Sequence, residues 1–170
     1  MLEKTTKKRF NHLIIISGTP ATGKTTLAKK LAKLLSFEYL DLEPILESIS
    51  EGYDQKKQCK IIDVKKLNSE IIKKIKGKKM IIASHLAHNL PKNKVDLCII
   101  TKCSDLKILK KRLLARRYPL SKIKENLECE VFDVCLTEAK KKGHNILVID
   151  TSQNNDFDLI SQGIKKLLNI

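Results

Sequence analysis

The stretch that most constrains this chain is Gly18-Thr-Pro-Ala-Thr-Gly23-Lys24-Thr25, which matches G-x-x-x-x-G-K-[ST]. It lies between the short apolar run Leu13–Ser17 and a segment whose apolar residues Leu27, Leu31, Leu34 and Leu35 recur at helical spacing. A chain folded around a phosphate needs consecutive backbone N–H groups turned inward and the positive end of a helix dipole behind them. That requirement imposes a strand, a turn relieved by glycine and a helix, in this order. With glycine at ~7% of average composition, a chance match in a chain of this length is an event on the order of 1%. In such a loop Gly18 and Gly23 relieve steric crowding, Lys24 reaches the β- and γ-phosphates and the Thr25 hydroxyl ligates Mg²⁺. Thr26 is placed to touch the α-phosphate. The reading is a nucleoside triphosphate site, against the plainer one of an ordinary glycine turn.

Around this loop, strand-like and helix-like segments alternate. Phe37–Leu42, Met80–Ala83, Val95–Ile100 and Asn145–Asp150 read as further strands. Helices are expected at Pro44–Ser50, across Val64 to Ile75 with Gly77 as a stop, and at Leu106–Arg116, Ser121–Lys142 and Phe157–Leu168. In the long Ser121–Lys142 helix, Ile123, Leu127, Val131 and Val134 should face inward and Ser121 should cap the start. Glu51–Lys60 reads as a polar stretch. Strands separated by helices imply right-handed crossovers and a parallel sheet covered on both faces. The expectation is a basic, flexible lead-in over residues 1–12 and one α/β domain over 13–170, with five parallel strands.

No apolar run approaches the length of a membrane span, and the charged N-terminus has no apolar segment of a secretory signal. Five cysteines with no C-x-x-C pair suggest neither a disulfide framework nor a zinc site, and fit a reducing intracellular compartment. The 34 Lys plus Arg against 19 Asp plus Glu leave a net charge of +15. That excess suits an anionic partner, but lysine with abundant Ile and Asn equally suits coding bias in an A/T-rich genome. Only four of the basic residues are arginine, and three of these cluster as Arg112, Arg116 and Arg117. Arg112 and Arg116 share a helix face at i, i+4. Phosphoryl transfer needs positioned planar cations, so the pair is a candidate for catalysis; the alternative is a solvated basic helix end. Tyr118-Pro119 then breaks the helix and leaves a short basic connection with the look of a small lid.

In chain order, G-T-P-x-x-G-K-T-T at 18–26, Gly52-Tyr53-Asp54, Ser84-His85-Leu86-Ala87-His88, R-L-x-x-R-x-Y at 112–118 and K-I-x-E-N-L-E-C-E-V-F-D-V at 122–134 resemble the adenylate kinase isoenzyme 6 family. The resemblance runs from about Leu13 to Ala139. It implies a P-loop kinase with a five-stranded parallel sheet and a short lid at about 116–124. It implies transfer of the ATP γ-phosphoryl group to AMP or a related monophosphate, with some ATPase activity. A role in small ribosomal subunit maturation, beside a platform protein and rRNA, is implied too, with a cytoplasmic location, nuclear in a eukaryote. By position, Gly18, Ala21, Gly23, Lys24, Thr25 and Thr26 would hold ATP, Arg116 would be the lid arginine and residues 42–63 would take the monophosphate.

The chain departs from the family pattern at several sites. Ala21 and Arg117 stand where glycine is usual, and Glu47 lies where some relatives carry a basic residue. The strand ending at Ala83 lacks the usual acid that helps hold Mg²⁺, and Asp41 is the nearest substitute. His85 and His88, three apart, have no further Cys or His beside them for a metal; a water-mediated role for His85 near the γ-phosphate is the stronger reading. Asp133 and Glu138 are expected to face solvent or pair with lysines. Two functions compete: a monophosphate kinase, and a ribosome-assembly ATPase with little kinase activity. A kinase for a non-nucleotide acceptor is a third, weaker reading.

Overall fold

The computed structural model describes residues 12–55 and 59–170. The expected lead-in, apart from His12, lies outside the described residues. In chain order the elements are β1 (Leu13–Ser17), α1 (Lys24–Leu35), β2 (Glu38–Leu40), α2 (Glu43–Ile49), β3 (Ser50–Asp54), β4 (Cys59–Ile62), α3 (Val64–Lys74) and β5 (Met80–Ala83). There follow β6 (Leu97–Lys102), α4 (Leu106–Ala115), α5 (Leu120–Val131), α6 (Val134–Lys141), β7 (Ile146–Asp150) and α7 (Phe157–Leu168).

Five strands form a parallel sheet in the order β2-β5-β1-β6-β7. Its central strand β1 is buried along its whole length, as a strand covered on both faces must be. Alternate side chains feed two cores. Leu13 and Ile15 pack with Ile45, Leu67, Ile71 and Ala139 from α2, α3 and α6. Ile14 and Ile16 point the other way, to Leu27, Leu31 and Ile164 of α1 and α7. The strand order turns back around β1, so the loops leaving β1 and β5 meet at one crevice beyond their carboxyl ends. A third, smaller cluster joins Ala21 to Cys103, Leu109, Leu113 and Ile123, which seats α4 and α5 beside that crevice.

Three expectations are corrected. The polar stretch at 51–60 takes part in an antiparallel hairpin of β3 and β4. Ile62 packs on the core, but Tyr53 and Ile61 lie exposed, so no alternation marked these strands. The long helix expected at 121–142 is two helices, α5 and α6, parted at Asp133, whose φ of 50° is left-handed. Val131 therefore lies exposed rather than inward, as does Phe132. Pro119, not Ser121, occupies the N-cap position of α5, and its fixed φ suits the helix entry.

Helix α4 starts at Asp105, whose carboxylate accepts from the N–H groups of Lys107 at 2.8 Å and Ile108 at 3.2 Å. An N-cap of this kind contributes about 1 kcal/mol. Asp105→Ala is accordingly expected to lower the melting temperature by about 2–4 °C, a shift measurable by calorimetry.

Candidate active site

The loop after β1 closes on itself through its own carbonyls. Lys24 Nζ donates to the carbonyl oxygens of Gly18 at 2.9 Å and Thr19 at 2.7 Å, which curls residues 18–24 around a concave backbone. Gly23 precedes α1 with φ 84°, and Ala21 holds φ 66°. Ala21 thus tolerates the left-handed conformation in which glycine is usual, with its methyl buried against Leu109, Leu113 and Ile123. Beneath the loop, Thr22 Oγ1 lies 2.8 Å from the Thr19 carbonyl and 2.7 Å from Thr101 Oγ1. Gly18 packs so tightly on β6 that an added Cβ would lie 2.4 Å from the Thr101 carbonyl oxygen.

Thr25 and Thr26 are exposed in the first turn of α1. The Tyr39 hydroxyl bonds with Thr25 and lies close enough to Asp41 to feel its charge. Asp41 Oδ1 accepts from the Glu43 N–H at 3.1 Å. Thr25 and Asp41 are therefore hard oxygen donors on one side of the loop, a set suited to Mg²⁺ completed by phosphate oxygens and water. Among the described residues no group of three or more His, Cys, Asp or Glu assembles elsewhere for a metal.

The arginines divide. Arg116, at the end of α4, is exposed, and its charge reaches Lys24. Burial pushes the Lys24 pKa down to about 8; Cys135 opposes this, and Arg116 adds to it. Arg112 turns elsewhere: its guanidinium donates to Thr151 Oγ1 at 3.0 Å and to the Thr151 carbonyl at 2.9 Å. Thr151 Oγ1 in turn lies 2.9 Å from the Thr22 carbonyl, so Arg112 buttresses the loop from behind. Arg117 is exposed at φ 57°, which accounts for the glycine usual there.

His85 opens to the crevice on one side, while the protein packed around its ring, and then the charge of Lys24, push its pKa down to about 4. Lys122 of α5 and Glu43 of α2 also act on that ring through their charges. His88 is no metal ligand in waiting, because both its ring nitrogens are engaged, by Ser17 and by Glu138. Glu138 thus pairs with a histidine rather than a lysine, whereas Asp133 does pair with Lys102. Sequence reasoning missed Thr22, at a variable position of the motif, and Thr101 and Thr151, since no motif marks a threonine that supports a loop from β6 or from the end of β7. It also missed Glu130, buried in α5, whose Oε1 accepts from the Cys103 N–H at 2.7 Å.

This sheet order, with the loop after its central strand and a lysine curled into that loop, defines a P-loop kinase. Residues 14–133 match a family profile described as AAA domain. The chain is 33% identical over 166 residues to a Thermococcus kodakarensis protein named "Putative adenylate kinase", covering 93% of this chain and 90% of that one. It is 31% identical over 166 residues to the "Adenylate kinase isoenzyme 6 homolog" of Dictyostelium discoideum, covering 93% and 94%. In fold it is similar to shikimate kinase from Acinetobacter baumannii, with TM-score 0.57 at 15% identity over 93% of both chains. The chain belongs to the adenylate kinase isoenzyme 6 family, adenylate kinase-like nucleoside monophosphate kinases. Among the described residues no helix is long and apolar enough to cross a membrane.

Gly18 offers a direct check on the loop. Gly18→Ala must push the β6 backbone away, at a cost of about 1–3 kcal/mol for overpacking alone. Its melting temperature should fall by several degrees and nucleotide binding should weaken with it, both readable in one thermal-shift titration with ATP.

Proposed function

We propose that the chain transfers the γ-phosphoryl group of ATP to AMP or a related nucleoside monophosphate. The observation that carries this is the phosphate loop itself: Lys24 Nζ is curled onto the Gly18 and Thr19 carbonyls at 2.9 and 2.7 Å, and the charge of Arg116 reaches it from the end of α4. Gly18, Ala21, Gly23, Lys24, Thr25 and Thr26 hold the ATP phosphates. Arg116 closes from the lid at about 116–124, and residues 42–63, comprising α2 and the β3–β4 hairpin, take the monophosphate. Thr25 and Asp41 hold Mg²⁺, which neutralises phosphate charge when bound. His85 orders water beside the transferred group. Arg112 acts through Thr151 on the loop. Catalysis then rests on positioning and charge neutralisation, with no general base required. The domain spans 13–170.

A second reading is an ATPase of small ribosomal subunit assembly, with a platform protein and rRNA as partners and little transfer to monophosphates. Two observations favour it. Lys60 lies 2.5 Å from Glu43 and 3.8 Å from Glu47, so two carboxylates already meet its charge in the acceptor region. The end of β5 offers Ala83 where an acid is usual. Nucleotide-dependent recovery of small-subunit components in a pull-down supports this reading; an empty pull-down counts against it.

A coupled assay with AMP, CMP and other monophosphates tests the kinase. Transfer to none of them, with ATP binding intact, would overturn it. Arg116→Ala is expected to lower kcat by at least ~100-fold, as loss of a transition-state cation does. A change confined to stability returns Arg116 to ordinary surface.

The Lys24 pKa gives a pH signature. Free Lys24 titrates at about 8, and bound phosphates must raise that value. Between the two pKa values ATP binding takes up a proton, so affinity falls as pH rises above 8 and is flat, as far as this group is concerned, below it. Calorimetry at pH 9 in buffers of different ionisation enthalpy should report that uptake. Affinity unchanged from pH 7 to 9.5 would remove Lys24 from the phosphate contacts.

A further inference from the structure

We infer that His88 is a positioning residue for phosphoryl transfer: through Ser17 it holds the Gly18 end of the phosphate loop in register with helix α6, an inference that rests on the kinase reading above. His88 lies in the one-turn 3-10 helix Ala87–Asn89 just after β5, with 2% of its surface exposed. Its Nδ1 is 2.7 Å from Ser17 Oγ and its Nε2 is 2.7 Å from Glu138 Oε2. Its own carbonyl lies 2.9 Å from His144 Nε2, which holds the turn from a further side.

The proton placement follows from what each group can do. A carboxylate only accepts, so Nε2 carries the hydrogen and donates to Glu138. In the neutral ring Nδ1 must then accept, and the Ser17 hydroxyl donates to it. Ser17 Oγ also approaches the His85 carbonyl at 3.4 Å, a longer contact that its single proton cannot serve at the same time. Burial holds the His88 pKa below its ordinary value although Glu138 pulls it up, and Lys142 and His144 further disfavour a charged ring. The neutral Nε2–H tautomer is therefore the state of this chain of bonds.

Ser17 is the last residue of β1, and the next residue supplies the carbonyl that Lys24 Nζ grips at 2.9 Å. Ser17 is fully buried, and its own carbonyl lies 3.3 Å from Thr101 Oγ1. The bonds Glu138–His88–Ser17 thus run from the surface of α6, beneath the turn that carries His85, to the root of the phosphate loop. A buried polar chain of this kind adds little net stability over apolar packing of the same volume; what it adds is one geometry. An error at the loop root moves Lys24 relative to the transferred group, and misplacement near 1 Å costs up to about 100-fold in rate.

The test compares Glu138→Ala, Glu138→Gln and His88→Leu with the wild type, by steady-state kinetics with AMP and ATP and by long-range ¹⁵N–¹H NMR of the histidine rings. Glu138 has a half-exposed side chain, so its variants fold even if His88→Leu does not. Glu138→Ala is expected to lower kcat by about 10-fold or more with KM for ATP within about 3-fold, the pattern of an interaction that matters in the transition state. Glu138→Gln, whose amide oxygen still accepts from Nε2–H, should recover most of that loss. The His88 ring should be the Nε2–H tautomer in the wild type and in Glu138→Gln, and a mixture in Glu138→Ala. Full kcat in Glu138→Ala, no recovery in Glu138→Gln, or an Nδ1–H ring in the wild type would each overturn the inference. A wild type that transfers phosphate to no acceptor removes the kinase reading instead, and the NMR result still decides the bonding of His88.

Discussion

The contact on which the rest of the molecule depends is the closeness of Gly18 to Thr101. There the backbone leaving β1 lies so near β6 that a side chain would sit 2.4 Å from a carbonyl oxygen. Because β1 and β6 run parallel with Ser17 opposite Ile100, the chain must turn out of the sheet at this point. The turn it can make is the one that presents its carbonyls to Lys24 and leads into α1. Thr22 within the turn, Thr101 on β6 and Thr151 after β7 then tie it together through their hydroxyls. A phosphate site built in this way is rigid before any ligand arrives, as electrostatic catalysis requires.

How much of this was legible in the sequence depends on whether a residue acts locally. The span Lys24–Leu35 of α1, Met80–Ala83 of β5 and Phe157–Leu168 of α7 follow from local periodicity, and the structure places them at those residues. The β3–β4 hairpin left no trace because Gly52, Tyr53 and Ile61 lie exposed and only Ile62 reaches the core, so no alternation marks it. The break at Asp133 was hidden for a different reason. The apolar spacing runs straight through it, and the residue that takes the left-handed turn is neither Gly nor Pro. Arg112 shows the limit at the site: its spacing from Arg116 set both on one face, but which partner it takes was decided by Thr151, 39 residues away in sequence.

The net charge of +15 can be sorted by the same logic. Lysines such as Lys29, Lys30, Lys73 and Lys74 are exposed or nearly so on helix faces, and Lys73 meets Glu70 in an i, i+3 pair. Surface pairs of this type contribute little, with a median of about 0–1 kcal/mol, and ask for no special partner. Lys24 differs in kind. Burial disfavours its charge and Arg116 opposes it, so the folded chain holds a cation at a cost that only an incoming anion removes. The lysines on these helix faces are therefore a property of the surface, and Lys24 is set apart from them by its burial.

Strain is distributed in the same pattern. Ala21 and Arg117 both hold left-handed backbone, at φ 66° and 57°, where a Cβ costs roughly 1–2 kcal/mol. At Ala21 the methyl is buried in the cluster with Leu109, Leu113 and Ile123, and such burial returns about 0.8 kcal/mol. Burial thus offsets only part of the strain, and the methyl also ties the loop to α4 and α5. Arg117 is exposed and has no such burial to offset its backbone. Of these two positions, the strain that burial does not offset is the one at Arg117, in the four-residue connection between α4 and α5, while the strain at Ala21 is partly offset within the loop after β1.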